Sequence, residues 1–355
     1  MKAWLRALVA SLALAASLPA AATGLSDPAR LDGLPEAVAR GAFPKTSAVL
    51  IVSEGSLVYE HYFGAGGSDV LDDTRSAMKS VTSLAVGLAI SEGAIASVKA
   101  SAFSYLSDLA PFAHDTPAKE AITIQDLLTM SSALDCNDDD RASPGLEDNM
   151  HARQNWTRWA VDLPTLSGYQ RDSAGLGPWR YCTAGAFLLG QIVQRATKTP
   201  VDRYIDAKIL SPLGITRRTW PYSPTGEAMT GGGLRLTARD AANLAWMLAD
   251  GGRWQGRQVV PSAWVDAALA VRRPAYPGLD YGYLFWGRKF TTACGDVYGW
   301  YMAGNGGNAI VILKDLRATV VVARTNFNAK GMHDQTKALL ETYVLPALMC
   351  RTGGT

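Results

Sequence analysis

The chain has 355 residues, 48% hydrophobic and 19% charged, a composition that excludes a disordered, collagen-like or multi-span membrane protein. Lys and Arg together number 34 against 32 Asp and Glu. With Lys2 and Arg6 lost in a leader, the two signs balance at 32 each. That leaves no basic footprint for nucleic acid or an anionic membrane, and favours a small neutral partner.

The first 22 residues read as a secretory signal peptide: Lys2 and Arg6, an apolar run from Ala7 to Leu18, then Pro19-Ala20-Ala21-Ala22 as a small-residue cleavage site. The run of about 12 residues is shorter than the roughly 20 that span a bilayer. No cysteine follows it for lipid attachment. The reading is therefore export, to a bacterial periplasm, with no stable membrane anchor, and a single domain over residues 23–355. Four cysteines remain, Cys136, Cys182, Cys294 and Cys350. An even count in an exported chain permits two disulfides, and no CxxC spacing suggests zinc.

Along the chain, Ala48–Val52 and Leu57–Phe63 flank Ser53-Glu-Gly-Ser56 and predict a β-hairpin. Apolar residues at 78, 81, 84, 85 and 88 predict a helix stopped by Gly93. Helical segments follow at Ile124–Met130, Ala184–Arg195 and Val201–Leu210, with an acidic loop from Asp135 to Asp148 read as a solvated cleft rim. Thr237-Ala-Arg-Asp240 is a capping box opening a helix over Ala241–Leu248. Three strand runs, Tyr298–Asn305, Asn308–Lys314 and Ala318–Arg324, precede a last helix over Thr336–Leu345. Strands at both ends with helices between predict an α+β fold. One sheet is built from about 28–75 and 230–350, with a helical lobe inserted at about 80–225.

Three segments could carry chemistry. Ser76-Ala-Met-Lys79 opens the first helix, and serine and lysine at i and i+3 share a helical face. Free N–H groups at a helix start suit a developing oxyanion, and burial can strip the lysine of its proton. Chance gives about 0.7 matches to S-x-x-K at this composition, and the chain holds one. Tyr181-Cys182-Thr183 opens a second helix, where a phenol could relay protons; Tyr105-Leu-Ser107 fits the same short pattern. Gly304-Asn305-Gly306-Gly307-Asn308 lets a ligand approach a strand edge, although such residues also make plain hairpin turns.

The order and spacing of these segments resemble the penicillin-recognising serine hydrolases, within them the class C β-lactamase-like branch, and there the 6-aminohexanoate-dimer hydrolases and related esterases. The phrases that carry the likeness are Arg75–Leu84, Asp126–Ser132, Tyr181–Gly185, Gly231–Leu234 and Gly304–Gly307. The resemblance implies a β-lactamase/transpeptidase-like fold: a five-stranded antiparallel sheet flanked by helices, plus the inserted lobe. It implies an acyl-enzyme hydrolase with no cofactor and no metal, acting on small esters or linear amides. Ser76 falls on the nucleophile, Lys79 on its base and Tyr181 on the proton relay. Asn305, Gly306 and Gly307 form the third, substrate-binding motif, and the Ser76 and Asn308 N–H groups the oxyanion hole. It also implies a Cys136–Cys182 disulfide at the cleft, with Cys294–Cys350 as a second pair.

Thr183 stands where the family has Asn, and Asn305 where it has Lys or His. Arg180, Arg235 or Arg324 could supply the missing charge. Trp179, Trp220, Trp286 and Trp300 are candidates to line an acyl pocket. The alternatives are β-lactamase or D-alanyl-D-alanine carboxypeptidase activity, or an inactive peptidoglycan-binding or sensor module. A Ser-His-Asp enzyme is a poor fit, since no G-x-S-x-G elbow exists.

Overall fold

The computed structural model describes residues 24–351, so the signal-peptide reading lies outside the described residues. The elements that position the site are β1 (Thr46–Ser53), β2 (Ser56–Tyr62), α1 (Met78–Ser91), α2 (Ile124–Leu128), α3 (Thr183–Thr197) and α4 (Ala238–Ala249). After them come β3 (Arg273–Tyr276), β4 (Leu279–Tyr281), β5 (Trp286–Thr292), β6 (Gly295–Gly304), β7 (Asn308–Leu313), β8 (Ala318–Arg324) and α5 (Met332–Leu339).

The strands form one antiparallel sheet in the order β2-β1-β8-β7-β6-β5-β4-β3. The sheet thus has eight strands rather than five. The five expected from sequence are present, and β3, β4 and β5 extend them at one edge. These three lacked a strand signature because β3 and β4 are only four and three residues long. In addition, Pro274 interrupts β3, and Arg288 and Lys289 interrupt β5.

The central strands are apolar on both sides because helices cover both faces. Every residue of β7 and β8 is buried. One face carries Leu50, Ile310, Ile312 and Val321 into a core shared with α4 and α1, and α3 packs behind on α1. The other packs Val49, Val311, Val320 and Val322 against the N-terminal turns and the helices of 332–349. Register puts Val49 opposite Val322 and Ile310 opposite Val321, so each face of the sheet keeps one side-chain set.

The predicted helices are found with shifted ends. The 201–210 segment is an α-helix to Ile205 that continues as a wider π-turn, and the last helix runs from Met332 to Met349 with a π-turn at Leu340–Val344. The Thr237–Asp240 capping box is made in both directions. The largest departure is α1. Its spacing predicted one apolar face, yet Met78 to Ala89 are all buried, because α1 runs through the junction of sheet and lobe. Two of its buried hydroxyls find carbonyls instead of water: Ser80 Oγ donates to Leu284 O and Thr82 Oγ1 to Thr230 O, each at 2.6 Å.

Gly87 lets α1 lie against Trp264, whose ring a Cβ would meet at 2.2 Å. A Gly87→Ala variant is expected to cost about 1–3 kcal/mol by overpacking. Thermal melting followed by circular dichroism should show a Tm several degrees below wild type; an unchanged Tm would contradict this packing.

Candidate active site

Asp72–Asp73 pairs with Arg235–Leu236 in a short two-stranded ladder, which delivers the chain to a tight turn at Arg75–Ala77. Arg75 holds φ of 49°, a left-handed conformation that side chains disfavour. It is braced on every side. Its N–H donates to Asp73 Oδ1 at 2.9 Å, its carbonyl accepts from Gly233 N–H at 3.1 Å, and its guanidinium lies 4.1 Å from the Phe327 ring centroid. The turn presents Ser76, half-buried, immediately before α1.

One helical step on, Lys79 is 1% exposed. Its Nζ donates to Ser76 Oγ at 2.9 Å and to Gly231 O at 2.7 Å, and lies 4.9 Å from the Tyr181 ring centroid. Tyr181, about a hundred residues further along the chain, is thus brought beside the Ser76–Lys79 pair. Tyr105 does not join them; its hydroxyl accepts from Ala96 N–H at 2.9 Å.

Glycines permit the close approach. A Cβ on Gly304 would meet Thr74 O at 2.2 Å, so the end of β6 lies directly against the turn before Ser76. A Cβ on Gly231 would meet Thr183 Cγ2 at 2.6 Å, which binds the Gly231–Gly233 strip to the start of α3. At the third motif, the Asn305 side chain is turned onto Asn328: Nδ2 donates to Asn328 Oδ1 at 2.6 Å, and Oδ1 accepts from Asn328 N–H at 2.8 Å. Gly306 and Gly307 hold φ of 93° and 87° in the turn, where only glycine is unstrained. Asn308 is buried, and its Nδ2 donates to Asn305 O at 2.9 Å and to Asp73 O at 3.4 Å. That ties the motif to the Ser76 turn a second time.

Burial alone would lower the pKa of Lys79. Against it stand Tyr181, Glu147 and Asp138, whose negative charge or potential charge outweighs desolvation and leaves the pKa above that of free lysine. The direction is opposite to the one that burial alone would give.

Glu147 and Asp138 come from the acidic loop, which is not uniformly solvated. Asp139 and Asp140 face solvent, but Asp138 and Glu147 are half-buried and fold back onto α3. Asp138 Oδ2 accepts from Thr183 N–H at 2.7 Å and Oδ1 from Glu147 N–H at 2.9 Å, while Asp138 N–H donates to Tyr181 O at 2.8 Å. Their aspartate and glutamate spacing matched no motif, so sequence reasoning missed them.

The loop is also stapled: Cys136 bonds Cys182, and Cys294 bonds Cys350. Cys182 Sγ accepts from Gly185 N–H at 3.1 Å as the cap of α3. Of the four tryptophans, Trp179 and Trp286 stand beside Tyr181, with ring centroids 6.4 and 5.7 Å from it. Trp220 and Trp300 are core residues.

Residues 36–343 match the Beta-lactamase family. The chain belongs to that family and is a serine hydrolase. It is 29% identical to the 6-aminohexanoate-dimer hydrolase of Paenarthrobacter ureafaciens over 270 residues, 71% of this chain and 67% of that one. The solved D-stereospecific amidohydrolase from Streptomyces sp. superposes with a TM-score of 0.66 at 17% identity, covering 89% of this chain and 98% of that one. A penicillin-binding protein from Bacillus halodurans gives 0.63 at 16% identity, over 83% and 96%. Both structures share the fold of this family member.

The Cys136–Cys182 bridge closes 46 residues and stabilises the hydrolase by up to about 4 kcal/mol in the loop-entropy account. Replacing both cysteines by serine should lower the unfolding free energy in urea by about 2–4 kcal/mol. Equal midpoints for variant and wild type would show the staple to be energetically idle.

Proposed function

We propose that this hydrolase works through a Ser76 acyl-enzyme and prefers small esters and linear amides to β-lactams. The observation that carries the mechanism is Lys79 Nζ, 2.9 Å from Ser76 Oγ and facing the Tyr181 ring. The reactive form has one proton fewer on the Lys79–Tyr181 unit than the resting form. The Ser76 Oγ proton passes to that unit as Oγ attacks the substrate carbonyl carbon. The Ser76 and Asn308 N–H groups receive the oxyanion. Collapse breaks the bond to the leaving group, which takes the proton by way of Tyr181. A water then repeats the sequence, giving its proton to the unit and its oxygen to the acyl carbon, and Ser76 is released.

The preference for esters and amides rests on charge. A β-lactam carboxylate needs a fixed cation, and the third motif offers neutral Asn305, already engaged with Asn328. Of the three arginines that could compensate, two are occupied and the third, Arg235, is half-exposed beside Asp73. Arg180 Nη2 lies 2.9 Å from Asp135 and Arg235 Nη2 lies 3.8 Å from Asp73. Arg324, 1% exposed, donates to Met332 O, Thr336 Oγ1, Pro44 O and Gln335 Oε1. Exchanging a charge-assisted contact for a neutral one forfeits about 1.4 kcal/mol or more, tenfold in rate. Trp179, Trp286 and Tyr276 make an aromatic wall beside Tyr181 that suits an apolar acyl chain.

Two disulfides, together with the signal-like leader, support export to an oxidising compartment. When the full gene is expressed in a Gram-negative host, the mature protein should appear in the periplasmic fraction with its N-terminus after Ala22. An uncleaved protein in the cytoplasm would remove the export reading.

The mechanism is tested by labelling with a fluorophosphonate and mapping the adduct. Label is expected on Ser76, and Ser76→Ala should lose both label and turnover while melting like wild type. Hydrolysis of p-nitrophenyl butyrate should exceed that of nitrocefin in kcat/KM by at least about tenfold. Label on another residue would end the mechanistic reading, and nitrocefin ahead by that factor would end the substrate preference.

A further inference from the structure

Resting on the Ser76–Lys79–Tyr181 reading, we infer that Asp138 and Glu147 are positioning residues of the site: they clamp the Tyr181–Thr183 backbone and supply the counter-charge to Lys79. Three hydrogen bonds make the clamp. Asp138 N–H donates to Tyr181 O at 2.8 Å, Thr183 N–H donates to Asp138 Oδ2 at 2.7 Å, and Glu147 N–H donates to Asp138 Oδ1 at 2.9 Å. A fourth, weaker contact runs from Thr183 Oγ1 to Glu147 Oε2 at 3.5 Å. Thr183 itself is fully buried, so its side chain faces these carboxylates rather than a substrate.

The charges complete the argument. The groups facing Lys79 are Ser76 and the Gly231 carbonyl from one side, Tyr181 from α3, and Glu147 and Asp138 from the acidic loop. Glu147 is held in turn by His151, whose Nε2 lies 3.3 Å from Oε1. Desolvation pushes the Glu147 pKa up, but His151, Lys79 and Thr183 outweigh it and hold the glutamate below its ordinary value. Asp138 is driven the other way, chiefly by desolvation and against the pull of Lys79. Glu147 is thus the dependable anion of the two, and Asp138 the clamp.

A counter-charge has a signature that a scaffold lacks. The Lys79–Tyr181 pair must lose one proton to become reactive, and the acidic limb of the kcat/KM–pH profile reports that loss. A nearby negative charge holds that proton on, so removing the charge moves the acidic limb of the kcat/KM–pH profile to lower pH. Glu147→Gln keeps the size of the side chain, loses the charge and exchanges one acceptor oxygen for an NH2 donor. With p-nitrophenyl butyrate as substrate, its limb should fall by about one pH unit, and Glu147→Asp should restore the wild-type limb.

Asp138→Asn should mainly lower kcat, by tenfold or more, through a loosened Tyr181. An unmoved limb in Glu147→Gln, whatever the rate, would overturn the counter-charge, and an unchanged kcat in Asp138→Asn would overturn the clamp. Should Glu147→Gln fail to fold, the wild-type enzyme decides: the 15N shift of Lys79 Nζ must show an ammonium at pH values below the acidic limb, and a neutral amine there overturns the counter-charge. Fluorophosphonate mapping of the same samples separates the two readings. Label on Ser76 with an unmoved limb defeats only this inference, whereas label elsewhere defeats the acyl-enzyme reading beneath it.

Discussion

A buried ammonium group is the constraint on which the site depends. Lys79 is almost wholly removed from water, and a charge so placed is tolerable only if every direction around it offers an acceptor or a negative potential. Ser76 Oγ, Gly231 O, the Tyr181 ring and the Glu147–Asp138 side supply those directions. Each comes from a different part of the chain. Satisfying one charge therefore fixes the mutual placement of the helix start, the glycine strip, the lobe helix and the acidic loop.

The glycines make that convergence sterically possible. Gly304 touches the carbonyl of Thr74, Gly231 the methyl of Thr183, and Gly87 the indole of Trp264. In each case backbone passes where a Cβ would collide with something that cannot easily give way. Arg75, strained at φ of 49°, is held there by Asp73, Gly233 and Phe327 from three separate segments. Local discomfort at the Ser76 turn is offset by one local contact and two remote in sequence, as is usual where a site demands one orientation.

The large sheet serves as the rigid plate behind this arrangement. Its central strands are buried on both faces and so resist slippage, because a one-residue shift would exchange two different cores. The lobe is tied to the site by the Cys136–Cys182 bridge and by the ion pairs of Arg171 with Asp126 and Arg180 with Asp135. The Tyr276 hydroxyl reaches Asp139 from the opposite edge strand. The aromatic wall thereby closes against the acidic loop.

Much of this was legible in the chain alone. The lone S-x-x-K, the Tyr-x-Thr opening a helix and the glycine run between two apolar strands are local patterns, set by helical spacing, capping and turn chemistry. Local physics was enough to read them, and the hairpin, the Thr237–Asp240 cap and five strands followed in the same way. Three things were decided only by the fold. Strands β3 to β5 form because an existing sheet edge offers them hydrogen bonds, which outweighs their poor intrinsic preference. The α1 helix is buried all round because sheet and lobe meet across it, a fact no periodicity can encode. The groups that raise the Lys79 pKa against desolvation, Tyr181 first and then Glu147 and Asp138, all lie more than 50 residues away in sequence. Spacing along a chain reports which groups share a face; it carries no record of which distant charges will stand beside them, and electrostatics at short range depends on that alone.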